Sequence, residues 1–388
     1  MTNTFPYEDC VNAHDVDMDA SRIEKVAEFF VRQCENGAFP GGQLVVRRKG
    51  QVVLKLSTGI SRNWRHSTGL VMDTLDTTPF PVYSTGKPMA AILIAMLEDQ
   101  GKLDINCPII EFLPDFSGWN RENITIRDVL THQAGILLPD LYNKIQLWAD
   151  KKAVWQYLLS QQPRYSRGTL AYMPGEFGIL LDHIVKQVTG KYSAELFLKE
   201  IAQPLGLNNI RYGLGDLQHD DIAWSYWLGS SRYKVAGMNI AEGFEEKNND
   251  YSVFSAANPA FSMVSDAANL AAFYEFLING GVTKNGKKLI SKNILSTYTS
   301  QQISGWDKSL STYLSLGYGF ILGTLSPSPY GWWNTGKCFG HAGIFSSIAF
   351  GDYDTGLSVA IVTNGNKSVK DLFLRFSKIS YGLRKACH

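Results

Sequence analysis

The sequence predicts an α/β domain that is interrupted by a mostly helical insertion. Strand-like segments occur near the amino terminus, around residues 43–57, and again between residues 318 and 363. The stretch between them, from residue 88 to about residue 272, carries mostly helical patterns. Strands from both ends of a chain can join one sheet while the middle packs as a second unit. We therefore expect the chemistry to lie in the cleft between the two units.

The predicted domain boundaries follow from this organisation. The chain has 388 residues, enough for one large domain or two closely packed ones. The sequence has no internal repeat and no low-complexity linker. The predicted units are an α/β domain at residues 20–85 and 280–388, a mostly helical domain at residues 86–279, and an amino-terminal extension at residues 1–19.

The first elements are predicted from periodicity. Ala20–Glu35 has the apolar spacing of an amphipathic helix. Gln43–Arg48 and Gln51–Ser57 alternate β-branched residues on either side of Lys49-Gly50, which predicts a β-hairpin.

Helix periodicity and end signals, and short β-rich runs, predict the later elements. The predicted helices are Thr125–Thr131, Lys151–Gln161, Phe177–Thr189, Ser193–Ala202, Ala267–Ile278 and Val369–Arg384. The predicted carboxyl-terminal strands are Tyr318–Leu322, Ser346–Asp352 and Leu357–Thr363.

Composition excludes several classes of function. The net charge is +1 and no basic run is interleaved with aromatic residues, so we predict no nucleic-acid partner. The longest apolar runs, near Ala90–Leu97 and Gly356–Val362, are too short to cross a membrane. Residues 1–20 are acidic and lack the apolar core of a secretory signal. The five cysteines are scattered without paired spacing, which favours reduced thiols and a cytoplasmic location.

The most informative segment joins a serine and a lysine at the start of a helix. Ser84 precedes Lys87 by three residues, where a short extended segment becomes the apolar run Ala90–Leu97. Residues three apart share one face of a helix, so the lysine amine can approach the serine hydroxyl. The Ser84 amide at the helix start also favours a developing oxyanion. The segment therefore predicts a nucleophile, a candidate base and half of an anion pocket.

The same spacing occurs a second time in a different context. Ser231 and Lys234 lie in a polar stretch that no apolar helix follows. We interpret this second copy as a solvated loop.

Several motifs of the chain, beginning with Ser84-Thr85-Gly86-Lys87, resemble those of the serine β-lactamase and penicillin-binding-protein superfamily, on its class C β-lactamase-like esterase branch. The resemblance covers roughly residues 23–364. It implies a β-lactamase-like fold, with an antiparallel sheet flanked by helices and a large helical inserted domain. The segments that carry it are Ser84-Thr85-Gly86-Lys87, the loop Asp104–Pro108 with Phe112-Leu113-Pro114, Ile124–Gly135, Asn258–Ser265 and Gly340-His341-Ala342-Gly343.

The third catalytic motif departs from the family pattern. Relatives carry Tyr-x-Asn, and Tyr172 fits the tyrosine if one residue is missing after Gly168-Thr169, but Pro174 then replaces the asparagine. Tyr165 is the runner-up for this role. The counterpart of His132 in relatives is structural, so we expect the same of His132.

The resemblance implies an acyl-enzyme mechanism without cofactor or metal. Ser84 would attack an acyl carbon after Lys87 or a Tyr172 phenolate takes its proton, and the residues alone do not separate these two bases. The second oxyanion donor would be the amide of Ile344. The strand that carries His341, Ala342 and Gly343 would bind substrate beside it. A neutral histidine where β-lactamases have lysine selects less strongly for an anionic substrate.

We therefore predict a cytoplasmic serine hydrolase that cleaves small-molecule carboxylic esters of small to medium acyl chain. The alternatives are an acyltransferase of the same fold, a β-lactamase or D-amino-acid peptidase, and a non-catalytic ligand-binding protein. The aromatic segments Trp224–Trp227 and Tyr330–Trp333 either line an acyl pocket or pack in the core or at its rim. The sequence leaves the oligomeric state open.

Overall fold

The computed structural model describes residues 9–65, 69–235, 238–325, 327–333, 335–344 and 346–388. Its α-helices are α1 (Ala20–Glu35), α2 (Lys87–Asp99), α3 (Ile126–Leu130), α4 (Lys151–Ser160), α5 (Glu176–Thr189), α6 (Ser193–Phe197), α7 (Gln203–Leu205), α8 (Phe244–Asn248), α9 (Tyr251–Ser255), α10 (Ala267–Ile278), α11 (Lys292–Tyr298) and α12 (Val369–Lys385).

The strands alternate with these helices along the chain. They are β1 (Gly41–Arg48), β2 (Gln51–Arg62), β3 (Met72–Asp73), β4 (Phe80–Pro81), β5 (Ile210–Tyr212), β6 (Tyr226–Trp227), β7 (Lys234–Val235), β8 (Met238–Asn239), β9 (Met263–Ser265), β10 (Ile303–Asp307), β11 (Thr312–Leu316), β12 (Ile321–Leu322), β13 (Cys338–Gly343), β14 (Ser347–Asp352), β15 (Leu357–Thr363) and β16 (Gly365–Asn366).

A nine-stranded antiparallel sheet is built from both ends of the chain. Its strand order is β10-β11-β12-β13-β14-β15-β1-β2-β3. The two ends meet where β1 pairs with β15, with Leu44 opposite Ile361. The predicted fold class, an antiparallel sheet with helices and strands from both chain ends, is confirmed. The domain boundaries at residues 85/86 and 279/280 stay a prediction.

The central strands are buried on both faces because helices cover each side of the sheet. Leu44 and Ile361 belong to the apolar cluster that includes Phe30 of α1 and Phe376 of α12. The neighbouring side chains Val45 and Val362 point to the other face and join the cluster around α2 and α10. This alternation is the two-residue period of a strand.

Helix α2 lies in the middle of the larger apolar cluster. Its residues from Lys87 to Leu97 are all buried. A helix that is apolar on all sides requires such a central position. The turn that carries the predicted nucleophile therefore leads into a helix that is held firmly by the surrounding core.

Most predicted elements are confirmed, and three differ in extent. The strand predicted at residues 51–57 continues to Arg62 in β2. The predicted strand at residues 318–322 is reduced to β12, because Gly319 adopts a φ of +75° and a Cβ there would lie 2.4 Å from that of Ala91. The chain crosses α2 closely here, and only glycine fits. The predicted helix at residues 193–202 is α6 followed by a π-helical turn, Leu198–Ala202.

Part of the predicted amino-terminal extension, residues 1–8, lies outside the described residues. Within the rest, Val16 and Met18 are buried against the cluster that includes α1 and α12. All five cysteines are described and unpaired. In the described ranges, no helix combines the length and apolar character that a membrane crossing requires.

Candidate active site

Ser84 lies in a 3₁₀ turn, Tyr83–Gly86, that runs directly into α2. The turn is fixed to the sheet by hydrogen bonds on both sides of the serine. The Ser347 hydroxyl donates to the Val82 carbonyl at 2.9 Å, and the Thr85 and Ser347 hydroxyl oxygens lie 2.9 Å apart. The Val82 amide donates to the Met263 carbonyl of β9 at 3.0 Å. Ser84 is thereby held at a defined place beside β14.

Tyr83, directly before the serine, has a left-handed backbone with a φ of 49°. Non-glycine residues in this region carry strain of about 1–3 kcal/mol and persist where the surrounding structure enforces them. The Tyr83 hydroxyl lies 2.6 Å from the Ser225 hydroxyl, and the ring is buried, so the side chain is anchored. No local sequence pattern predicts this feature, because a tyrosine is not typical of that conformation.

Lys87 is completely buried and its amine has three polar neighbours. Nζ lies 3.0 Å from Ser84 Oγ, 2.8 Å from the Pro174 carbonyl oxygen and 3.0 Å from the Ala260 carbonyl oxygen. The predicted approach of the lysine amine to the serine hydroxyl is thus present. The two carbonyl contacts come from segments that the sequence did not connect to Lys87.

Burial lowers the pKa of Lys87 well below its ordinary value, although the negative charge of Glu176 acts in the opposite direction. Burial also raises the pKa of Glu176, although the hydrogen bonds that it receives from backbone amides act in the opposite direction. Glu176 Oε1 accepts from the Leu138 amide at 2.6 Å, and Oε2 accepts from the Gly175 amide at 3.2 Å. Removal from water disfavours the charged form of both side chains.

Tyr172 lies against both residues. Its ring centroid is 5.0 Å from Lys87 Nζ, and its side chain lines the same cavity as Ser84. Burial raises the pKa of Tyr172, an effect that the neighbouring Ser84 side chain only partly offsets. The structure therefore brings Ser84, Lys87 and Tyr172 together. Tyr165, the runner-up, is instead partly exposed beside Arg164, with its ring 6.0 Å from that guanidinium.

The backbone of Tyr172 is fixed by residues from two other segments. Its amide donates to Asp307 Oδ2 at 2.8 Å, and its carbonyl accepts from the Ser309 hydroxyl at 3.0 Å. His132 accepts from the amide of Met173 through Nδ1 at 3.2 Å, and its ring centroid lies 4.5 Å from that of Tyr172. The arrangement fits the structural role that we expected for His132.

The end of β13 packs directly on the segment that carries Ser84. A Cβ added at Gly343 would lie 2.2 Å from the Val82 carbonyl oxygen and 2.4 Å from Ser347 Oγ. Only a glycine permits this approach. Ile344 follows directly, and it lines the same cavity as Ser84, His341, Ala342 and Gly343.

His341 is buried at the cavity wall with one ring nitrogen engaged. Nδ1 lies 2.8 Å from the carbonyl oxygen of Ala342, and a carbonyl can only accept, so Nδ1 carries the proton. Nε2 is buried and has no hydrogen-bond partner among the described residues. Burial, reinforced by the nearby Lys87, lowers the pKa of His341 to about 3. The side chain is therefore neutral at pH 7, as predicted.

Other sequence predictions have clear positions. Ser231 and Lys234, the second copy of the motif, are exposed. Tyr226 and Tyr330, from the two aromatic segments, are buried in the protein interior and do not line the cavity. Throughout the described ranges, no group of three or more metal-ligating side chains is present. Sequence reasoning missed Asp307, Glu176 and the carbonyl of Ala260, because their roles depend on contacts between distant segments.

Comparison with known proteins gives the family. The family model described as Beta-lactamase matches residues 26–380. A curated relative from Mycobacterium tuberculosis, "Esterase/beta-lactamase LipL", is 28% identical over 367 residues, covering 88% of this chain and 81% of the relative.

Two solved structures share the architecture. A penicillin-binding protein homologue from Caulobacter crescentus superposes with a TM-score of 0.81 at 25% identity, over 95% of this chain and 98% of the homologue. A family VIII carboxylesterase superposes with a TM-score of 0.79 at 23% identity, over 94% and 98% of the two chains. Because the family match spans nearly the whole chain and the fold agrees, this protein belongs to the beta-lactamase family and is an enzyme of its esterase and beta-lactamase-like hydrolase kind.

Proposed function

We propose that this protein hydrolyses carboxylic esters through an acyl-enzyme on Ser84, with Lys87 as the general base. The observation that carries the proposal is the set of three contacts at the Lys87 amine. Two are to carbonyl oxygens, of Pro174 and Ala260, and the third is to the Ser84 hydroxyl.

An ammonium could donate to all three of these oxygens, and a neutral amine could make the same contacts with its lone pair directed at the Ser84 hydroxyl. A neutral amine has two N–H bonds and one lone pair. The two carbonyls accept the two N–H bonds, since a carbonyl oxygen cannot donate. The lone pair is then available to the proton of the Ser84 hydroxyl. Burial, which lowers the pKa of Lys87, favours the neutral amine over the ammonium, and a serine hydroxyl needs such a neighbouring base.

The alternative base, a Tyr172 phenolate, is less well supported. Burial raises the pKa of Tyr172, so the phenol keeps its proton at neutral pH. A neutral phenol beside Ser84 can instead pass its proton to the departing alkoxide, and the proton that Lys87 took from Ser84 then restores the phenol, so that both groups are neutral again. We therefore assign the base to Lys87 and the proton transfer to the leaving group to Tyr172.

The backbone amides of Ser84 and Ile344 stabilise the tetrahedral intermediate in this proposal. The Ser84 amide belongs to the turn that starts α2, and Ile344 follows the strand that packs on this turn. Each hydrogen-bond donor that is held in place before the reaction, in a site that excludes water, lowers the activation free energy by about 3–4 kcal/mol. The close contact of Gly343 with Val82 holds the turn that carries Ser84 and the end of β13 in a fixed relative position.

Ester substrates are favoured over β-lactams and peptides by two residues. His341 has a pKa of about 3, so it offers no positive charge to a substrate carboxylate at neutral pH. Pro174 has no side-chain amide to hydrogen-bond a substrate amide. Acyl transfer to an alcohol or amine uses the same acyl-enzyme and stays the nearest alternative.

The experiment is labelling with a fluorophosphonate probe, followed by intact mass and peptide mapping. We expect one adduct on Ser84, none in Ser84→Ala, and full labelling in the matched control Ser231→Ala. The labelled wild-type protein should lose turnover of p-nitrophenyl butyrate. A folded wild-type protein that takes no label would favour the non-catalytic alternative.

Substrate preference is tested on the same preparation. We expect turnover of p-nitrophenyl butyrate to exceed turnover of nitrocefin, and added alcohols to leave the hydrolysis product dominant. Faster turnover of nitrocefin would reverse the ester assignment. A dominant transfer product would assign the protein to the acyltransferases.

A further inference from the structure

The cavity that contains Ser84 is much larger than the reacting groups need. Its volume is about 580 Å³, compared with roughly 30 Å³ for one water molecule in the liquid. The volume lies inside the range of about 300–1,000 Å³ that is typical of sites for drug-sized ligands. The site thus has room for a substrate with a large group beyond its ester carbon.

The cavity wall is mainly apolar and comes from both parts of the chain. Among its lining residues, Leu138, Trp148 and Phe261 come from the segment before β10. The sheet and α12 contribute others. The apolar lining from the sheet, the β10–β11 connection and α12 includes Leu310, Leu314, Ile321, Leu322, Val369 and Phe373.

The charged side chains among the described lining residues are Glu176 and Lys247, and both are already engaged. Glu176 accepts two backbone amides, as given above. Lys247 Nζ donates to Asn143 Oδ1 at 2.9 Å and lies 5.2 Å from the ring centroid of Tyr142. Most of the cavity wall therefore has little to offer a polar substrate group, whereas a hydrocarbon would replace water there at no loss of hydrogen bonds.

The apolar lining continues to the protein surface. Tyr313 and Val369 line the cavity and are 60% and 49% exposed. Trp306, the cross-strand partner of Tyr313, is 59% exposed. Large exposed apolar side chains beside a cavity mark an entrance for an apolar ligand.

We infer that the substrate is a lipid-like ester, with a hydrocarbon chain of decanoyl length or longer in the apolar cavity. The inference rests on the proposed ester hydrolysis at Ser84 and extends it beyond the small to medium acyl chains that the sequence predicts. The ester carbon lies at Ser84, and the chain lies against the walls contributed by the sheet and α12.

The first test is the specificity constant kcat/KM across p-nitrophenyl acetate, butyrate, octanoate, decanoate and laurate, below their aggregation limits. Each methylene that is buried can raise kcat/KM by up to about fourfold. We expect decanoate to exceed butyrate by roughly tenfold or more. A maximum at acetate or butyrate would overturn the inference.

The second test changes the cavity wall with a matched control. Val369→Trp narrows the cavity and Val369→Glu places a charge on its rim. Leu374 lies on the same helix, is 52% exposed and is not part of the lining, so Leu374→Trp and Leu374→Glu are the controls. We expect the Val369 variants to lower the ratio of kcat/KM for decanoate to kcat/KM for acetate about tenfold, which is the scale of a few lost methylene contacts. Equal losses for acetate and decanoate, or equal losses in the Leu374 variants, would contradict the inference.

A binding measurement separates this inference from the catalytic proposal. Ser84→Ala cannot form an acyl-enzyme, but it keeps the cavity. We expect it to bind a fluorescent undecanoic acid derivative, and decanoic acid to displace the probe far better than butyric acid. Binding without hydrolysis by the wild type would support the apolar site and refute the esterase. Labelling and short-ester hydrolysis without binding would refute the apolar site alone.

Discussion

Pro174 accepts a hydrogen bond from Lys87 through its backbone carbonyl oxygen, at 2.8 Å. The family resemblance expects an asparagine at this position, and the proline lacks a polar side chain. The backbone supplies an acceptor for the lysine that does not depend on the side chain. The departure from the family pattern therefore leaves the lysine amine fully hydrogen-bonded.

The first prediction concerns the amine itself. Lys87→Met keeps the length and apolar stem of the side chain and removes the base. We expect kcat/KM for p-nitrophenyl butyrate to fall by about 10²–10⁴, the range for loss of an acid–base group. Lys234→Met, in the exposed second copy of the motif, is the control and should keep wild-type activity. A Lys87→Met variant with near-native turnover would remove Lys87 from the mechanism.

The second prediction concerns Tyr172. Tyr172→Phe retains the buried ring and removes the hydroxyl beside Ser84. We expect turnover to fall by about a hundredfold, because the leaving alkoxide loses its proton donor. An ester with a good leaving group, such as a p-nitrophenyl ester, should suffer less than the corresponding ethyl ester, since it needs less protonation. Equal losses on both esters would show that the hydroxyl does not assist the leaving group.

The third prediction is the pH dependence of activity. The base must be neutral, and burial lowers the pKa of Lys87, so kcat/KM should rise with pH through that lowered pKa and then level off. His341 titrates only near pH 3, so it does not contribute an inflection near neutrality. His341→Asn should therefore leave the midpoint of the rising limb in place. Loss of that limb in His341→Asn would assign it to the histidine.

The fourth prediction is acid sensitivity of the fold. The pKa of His341 is about 3 in the folded protein and about 6.5 when unfolded. Below pH 6.5 the unfolded chain binds a proton that the folded protein does not, so stability is lost as pH falls. The loss is about 1.4 kcal/mol per pH unit. Between pH 6.5 and 4.5 the wild type should lose roughly 2–3 kcal/mol more unfolding free energy than His341→Asn. Parallel curves from urea titrations of the two proteins would refute the buried neutral histidine.

The fifth prediction concerns the contact between β13 and the nucleophile turn. The Cβ of Gly343→Ala would meet the Val82 carbonyl oxygen at 2.2 Å, so one of the two segments must move. Displacement by about 1 Å can cost about a hundredfold in rate. We expect kcat to fall by roughly that factor. Gly336→Ala is the matched control, because no atom lies within 4 Å of its added Cβ. Native kcat in Gly343→Ala would show that the register of these segments is not critical.

Local sequence patterns predicted the elements whose residues carry their own signal. Helices α1 and α10, with the hairpin of β1 and β2, have clear periodicity, and the structure confirms them. Strands β10 and β11 were not predicted. Ile303–Asp307 contains a glycine and lies at the sheet edge, where a strand depends on its pairing partner more than on its own residues.

The sequence by itself determined the order of the elements and the pairing of Ser84 with Lys87, because three-residue spacing at a helix start is a local property. It also contains the apolar run Ala90–Leu97, which is consistent with the buried position that α2 has in the structure. These features depend only on neighbouring residues.

Only the tertiary structure decided which tyrosine lies against Ser84, and that Lys87 reaches the carbonyls of Pro174 and Ala260, 87 and 173 residues away. It also decided the neutral state of His341. Burial and long-range hydrogen bonds arise from the packing of many segments together. No short stretch of sequence carries that information.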